Sequence, residues 1–173
     1  MGEYKSGFAG KRIDELLGMV DQGSFAPANH THEINNIIMW SGEDENETPK
    51  FLGEGSGVAF NHGKNEGEFH KISEQPNGVV LVFSLFDDEA KNASWSCHFV
   101  PKSMIGENGL GKQGTHTFLM ATLTSEMDYF GIKHLYISDT RIDGYVRNGE
   151  AYTSDCGIKY SNNKYALRYV IGV

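Results

Sequence analysis

Apolar positions recur along this chain with two different periods, and the change between them divides it. Ile13, Leu16, Leu17 and Val20 fall at i, i+3, i+4 and i+7, the spacing that lines one face of an α-helix. Isolated helices shorter than about 12–15 residues are marginal in water, so this short stripe needs a partner. The partner is either its own domain or copies of itself about a symmetry axis. Gly23 and Pro27 end the helix, and residues 29–36 read as an extended connector leading to Ile37 and Ile38.

From Ile37 onward the pattern is that of strands. Candidate strands cover 37–40, 51–52, 58–60, 69–72, 79–86, 93–100, 115–123, 132–138, 145–146, 151–153, 158–160 and 165–173. The stretch 79–86 is nearly all apolar, which predicts a central strand covered on both faces. Residues 93–100 alternate, with Trp95, Cys97 and Phe99 on one side and Ser94, Ser96 and His98 on the other. Residues 165–173 alternate too, placing Tyr165, Leu167, Tyr169, Ile171 and Val173 on one inward face. Many short strands with regular turn signals predict a mostly β fold, an antiparallel β-sandwich of jelly-roll type. The expected organisation is a helical segment over 1–26, a connector over 27–40 and a β-sandwich head over 41–173.

Composition sharpens that picture. The chain carries 21 glycines and only 4 prolines, scattered between apolar runs. The pairs Asn77-Gly78, Asn108-Gly109, Asn148-Gly149 and Asp143-Gly144 are hairpin-turn signals, because both members of each pair tolerate positive φ. With 15 Lys+Arg against 23 Asp+Glu the formal net charge is −8, which argues against a nucleic-acid partner and against an anionic membrane surface. No apolar run approaches the ~20 residues of a membrane span, and the N-terminus lacks the apolar stretch of a signal peptide. The Asn-x-Ser/Thr triplets at Asn29, Asn46 and Asn92 are accordingly read as chance. Cys97 and Cys156 form no CxxC and are expected as reduced core thiols, a single disulfide being the alternative.

Several motifs fall short of the chemistry they resemble. Residues 106–113 have the Gly-x4-Gly-Lys spacing of a phosphate loop, but Gln113 stands where Ser or Thr should hold Mg²⁺. In 53–57 the serine comes one place late for a nucleophile elbow. His98, His116 and His134 lie on separate candidate strands, where they are either a zinc triad or ordinary strand histidines. His30-Thr31-His32 is the most informative short motif, because residues i and i+2 of an extended segment point the same way. Two imidazoles from one chain make a poor metal site. Three chains around an axis would present six, suiting an octahedral iron, cobalt or nickel ion shared by the three, whereas in a monomer both histidines simply face solvent.

That connector resembles the His-Thr-His segment that recurs before the β-rich tips of tail fibres in tailed bacteriophages. The remainder resembles the C-terminal tip domain of receptor-binding tail proteins from phages and prophages of Gram-positive bacteria. The matching stretches are 78–84 (Gly-Val-Val-Leu-Val-Phe-Ser), 99–102 (Phe-Val-Pro-Lys), 133–139 (Lys-His-Leu-Tyr-Ile-Ser-Asp) and 162–173. The resemblance implies a homotrimeric, non-enzymatic host-adhesion protein of the virion, made in the bacterial cytoplasm. It also implies binding of a bacterial cell-surface carbohydrate and docking to other tail proteins through the N-terminus. Only about 25 residues precede the connector, so the chain is either a piece of a longer fibre or a small tip module docking through its helix.

Carbohydrate binding uses aromatic faces beside hydrogen-bonding side chains. The candidates are Tyr129, Tyr145 and Tyr152, with Asp143 and Asn148, and Asp128 nearby. The alternatives are a tail-borne glycan depolymerase or wall hydrolase, needing two apposed carboxylates, and a purely structural trimeric cap.

Overall fold

The computed structural model describes residues 36–105, 115–123 and 128–173, the side chains of 123, 128 and 129 excepted. The helix expected over 13–20, the connector with His30 and His32, and the Gly-rich 106–113 segment lie outside them. Within the compact unit Asn35–Val173, the described chain is built from short strands and single 3₁₀ turns. The strands are β1 (Ile37–Ser41), β2 (Gly57–Ala59), β3 (Gly78–Asp87), β4 (Glu89–Ala90), β5 (Ser96–Pro101) and β6 (His116–Leu123). They continue with β7 (Asp128–Ile137), β8 (Arg141–Asp143), β9 (Ala151–Thr153), β10 (Lys159–Ser161) and β11 (Tyr165–Gly172). All pairings are antiparallel. A mostly β chain of antiparallel sheets is what the alternation predicts.

One sheet runs β1-β11-β3, with β5 and then β4 along the far edge of β3. The other runs β2-β8-β7-β6, and β9 and β10 form a separate hairpin. The five-stranded and the four-stranded sheet feed one apolar cluster. Trp40, Phe83, Tyr165 and Leu167 enter it from the first, Val58, Met120, Leu135 and Ile142 from the second, and Leu52, Phe60 and Ile72 from the connections. The Tyr165 hydroxyl, itself buried, donates to Thr122 Oγ1 at 2.9 Å and ties β11 to β6. As its composition demands, β3 is central, flanked by partners on both sides and buried along nearly its whole length. β1 is an edge strand of the first sheet, paired with β11, so residues 37–40 belong with the head, not with a connector.

The inward face of β11 departs from simple alternation. Tyr165 and Leu167 point into the core, but the pairing with β3 slips between Leu167 and Tyr169. One extra residue reverses the parity of a period-two pattern, so beyond the bulge Val170 is buried and Tyr169 and Ile171 are only half-buried. Arg168, the residue at the bulge, is 4% exposed, bonds Ser84 Oγ at 2.9 Å, pairs with Glu43 and lies over the Trp95 ring.

Other expectations are corrected by tertiary contacts. On β5 the apolar side faces out: Phe99 is 52% exposed and Cys97 is exposed, while Val100 is buried. Cys156 sits exposed in the β9–β10 turn, so neither cysteine is a core thiol and no disulfide joins them. Residues 51–52, 69–71 and 145 are not strands. Leu52 has φ 59 and buries its side chain from an irregular loop, and Ile72 opens a 3₁₀ turn. The Asn-Gly and Asp-Gly pairs of the described chain close no two-residue hairpin. Gly78 opens β3 at φ 147, and Asn148-Gly149 lies in the 3₁₀ turn Val146–Gly149.

Candidate functional site

Alternation along β7 sorts its side chains by face. Gly131, Lys133 and Leu135 are buried, while Phe130, Ile132, His134 and Tyr136 line the other face, Tyr136 being 46% exposed. β6 pairs with one edge of this strand through its whole length, and β8 pairs with the opposite edge only at Tyr136 and Ile137. Where β8 ends, the segment Tyr145–Glu150 takes its place beside His134. It is held there by Asn148, which is fully buried and bonded through both amide atoms to the His134 main chain.

Lys133 completes the attachment from the core side. Its fully buried ammonium donates to the carbonyls of Phe51 at 2.9 Å, Asn148 at 2.6 Å and Asn162 at 2.8 Å. Burial pushes its pKa down to about 7, while three carbonyl acceptors favour the charged form. Asn162, also buried, accepts from the Ile132 amide at 2.6 Å and donates to the Arg147 carbonyl at 2.8 Å.

This scaffold presents four tyrosines around a solvent-open groove. Tyr152 on β9 and Tyr160 on β10 are directly opposed across the hairpin, their rings stacked at 4.9 Å and 19°. The Arg147 guanidinium lies over the Tyr152 ring at 5.2 Å. Tyr145 meets the His134 ring edge-on at 5.7 Å, and His134 Nδ1 hydrogen-bonds Thr117 Oγ1 at 3.1 Å. The groove has two lobes that share Arg147 and Tyr152. The larger, about 470 Å³, adds Tyr160, Glu150, Asp155 and hydroxyls of the β9 end. The smaller, about 320 Å³, adds Thr115, His134, Tyr136 and Tyr145. Volumes of this order accommodate one or two small ring systems.

The sequence candidates divide cleanly. Tyr145 and Tyr152 line the groove. Asp143 pairs with Arg141 at the end of β8, opposite Tyr136, and is not among the residues that line either lobe. Asn148 is a buried staple whose amide is fully committed, so it offers nothing to a ligand. Asp128 and Tyr129 open β7, their side chains lying outside the described residues, as do His30 and His32. Tyr136, Tyr160, Arg147, Glu150 and Asp155 escaped the sequence reading, and His134 entered it only as a member of a zinc triad. Two signals could have found some of them: the alternation that sets His134 and Tyr136 on one face, and the pairing of Tyr160 with Tyr152 in a short hairpin.

His98, on the inner side of β5, bonds Ser96 Oγ at 2.8 Å and packs on Phe118 at 5.1 Å; His116 stacks on the same Phe118. Burial lowers the pKa of both histidines. Among the described residues no group of three His, Cys, Asp or Glu side chains is arranged to hold a metal, and no helix is long and apolar enough to cross a membrane.

Fold and groove together define a mostly β protein with an aromatic, polar-rimmed surface cleft. Comparison of the chain with family models, with curated proteins and with solved structures gives no match.

Proposed function

We propose that this chain is the host-recognition tip of a phage-type tail, a non-enzymatic homotrimer whose β-sandwich, jelly-roll-like head binds a bacterial cell-surface glycan in the tyrosine groove. The observation that carries the reading is the stacked Tyr152–Tyr160 pair, bounded by Arg147, Glu150 and Asp155 in one open lobe. A pyranose presents apolar C–H faces to aromatic rings and hydroxyls to charged rims, and this lobe offers both. The resemblance of 78–84, 99–102, 133–139 and 162–173 to phage tail tips supports the same reading. Three weak sites on one trimer, multiplied over many tips, gain avidity by factors of ~10²–10⁴ without any new contact. The N-terminal segment would dock the tip onto other tail proteins of the virion.

The experiment is binding of the fluorescently labelled full chain to purified host cell wall, comparing wild type with Tyr152→Ala/Tyr160→Ala. Saturable binding that the double variant loses supports the reading; wild-type binding unchanged by it, or none at all, overturns it. A depolymerase is the second reading, favoured because Glu150 and Asp155 line one lobe. Glycosidases place two carboxyls ~5–5.5 Å apart for retention or ~6.5–9.5 Å for inversion. Release of reducing sugar from the same wall preparation, abolished by Glu150→Gln, would establish that reading instead.

A further inference from the structure

The two lobes of the groove differ in charge, and the difference selects a ligand class. Both carboxylates, Glu150 and Asp155, line the larger lobe, and the described lining of the smaller contains none. Arg147 stands where the lobes meet. Of the three arginines among the described residues, Arg141 pairs with Asp143 and Arg168 with Glu43. The guanidinium of Arg147 forms no hydrogen bond or ion pair with a described residue; its one described partner is the face of Tyr152. A guanidinium resting over an aromatic face keeps N–H donors available, and those donors can grip a carboxylate or phosphate with two parallel bonds.

We infer that the smaller lobe is the anion-binding subsite of an acidic saccharide, with Arg147 as the ligand to its carboxylate or phosphate. The inference rests on the glycan-binding reading and narrows it. Tyr145 and Tyr136 flank the charged ring, and the neighbouring residue of the polymer occupies the larger lobe beside the Tyr152–Tyr160 pair. There Glu150 and Asp155 accept its hydroxyls and repel a second anion. With a formal net charge of −8 the chain repels polyanions as a whole, so attraction to an acidic polymer has to come from a local site.

The test measures binding of the full chain to three immobilised polymers: a neutral glucan, a polyuronate and a phosphomannan. Arg147→Gln is compared with Lys91→Gln, which removes the same charge from a lysine paired with Glu89 beside β4, outside both linings. The expected result is binding to at least one acidic polymer and weaker binding to the neutral one. Arg147→Gln should weaken the acidic interaction about tenfold or more, with Lys91→Gln close to wild type. Which acidic polymer is preferred distinguishes carboxylate from phosphate. Equal binding to neutral and acidic polymers, or equal effects of the two substitutions, overturns the anion subsite and leaves the glycan-binding reading standing. If none of the polymers binds and host cell wall also fails, the glycan-binding reading falls with it.

Discussion

Asn148 pairs with His134 as a neighbouring strand would. Its Oδ1 accepts from the His134 amide at 2.9 Å, and its Nδ2 donates to the His134 carbonyl at 2.8 Å. A single carboxamide thus supplies the donor and acceptor that β8 no longer provides at this point of β7. The same Nδ2 reaches the Leu52 carbonyl at 2.8 Å, so one buried side chain joins three segments. The main chain that leads into it carries the groove: Tyr145 and Arg147 stand beside His134 because Asn148 is fastened there.

Replacing Asn148 by Ala should therefore strip buried main-chain groups of their partners. Each unsatisfied group costs about 1–3 kcal/mol, so the expected loss is a few kcal/mol, read as a lower midpoint in urea denaturation. Asn148→Asp keeps the acceptor toward the His134 amide but turns a buried carboxylate oxygen toward the His134 and Leu52 carbonyls, and should be destabilised as well. A variant with wild-type stability would show that this staple is dispensable.

Lys133 gives a pH signature with a definite sign. Its folded pKa is held down to about 7 by burial, against ~10.4 in an unfolded chain. Between those values the unfolded state binds a proton that the folded state does not, so this residue's contribution to stability rises with pH across the window. Below about 7 the lysine is charged in both states and contributes no slope. Subtracting the stability of Lys133→Met from that of wild type, from pH about 6 to about 10, should isolate this rise. A flat difference would mean that the three carbonyls hold the lysine near its ordinary pKa. Met at this position also leaves those carbonyls without donors, so the variant should be the less stable protein at the alkaline end.

Gly131 lies under the Tyr165 ring, and a Cβ there would stand 2.5 Å from Cδ2 of that ring. Gly131→Ala should force the ring or the strand aside at a cost of about 1–3 kcal/mol. Gly149→Ala is the matched control, since no atom lies within 4 Å of its added Cβ. Equal thermal midpoints for the two variants would show that β7 and β11 are not in close contact at this point.

Truncation after Lys164 removes β11, which lies between β1 and β3 and buries Tyr165, Leu167 and Val170. Large buried side chains are each worth roughly 1.5–3 kcal/mol against a total of about 5–15 kcal/mol. The truncated chain should be insoluble or unfolded by circular dichroism; a soluble, folded product would refute the central place of this strand.

Local chemistry alone determined much of this protein. The nearly all-apolar run of β3 required a central strand, and the short alternating runs separated by turn residues required antiparallel sheets. Tyr145 and Tyr152 were legible as exposed aromatics near strand ends. Tertiary structure decided whatever depended on parity or on distant partners. One extra residue at Arg168 reverses which side of β11 meets the core, because a period of two has no memory across a bulge. Cys97 and Phe99 alternate as a core face would, yet they lie on the solvent side, because Val82 and Val80 opposite them are on the outer face of β3. Asn148-Gly149 has the chemistry of a turn, but its position beside His134 makes the amide a buried staple. Lys133 is tolerated inside only because the carbonyls of residues 51, 148 and 162 converge on it. No window along the chain contains all of those partners, since a buried charge is satisfied by whatever folding brings to it.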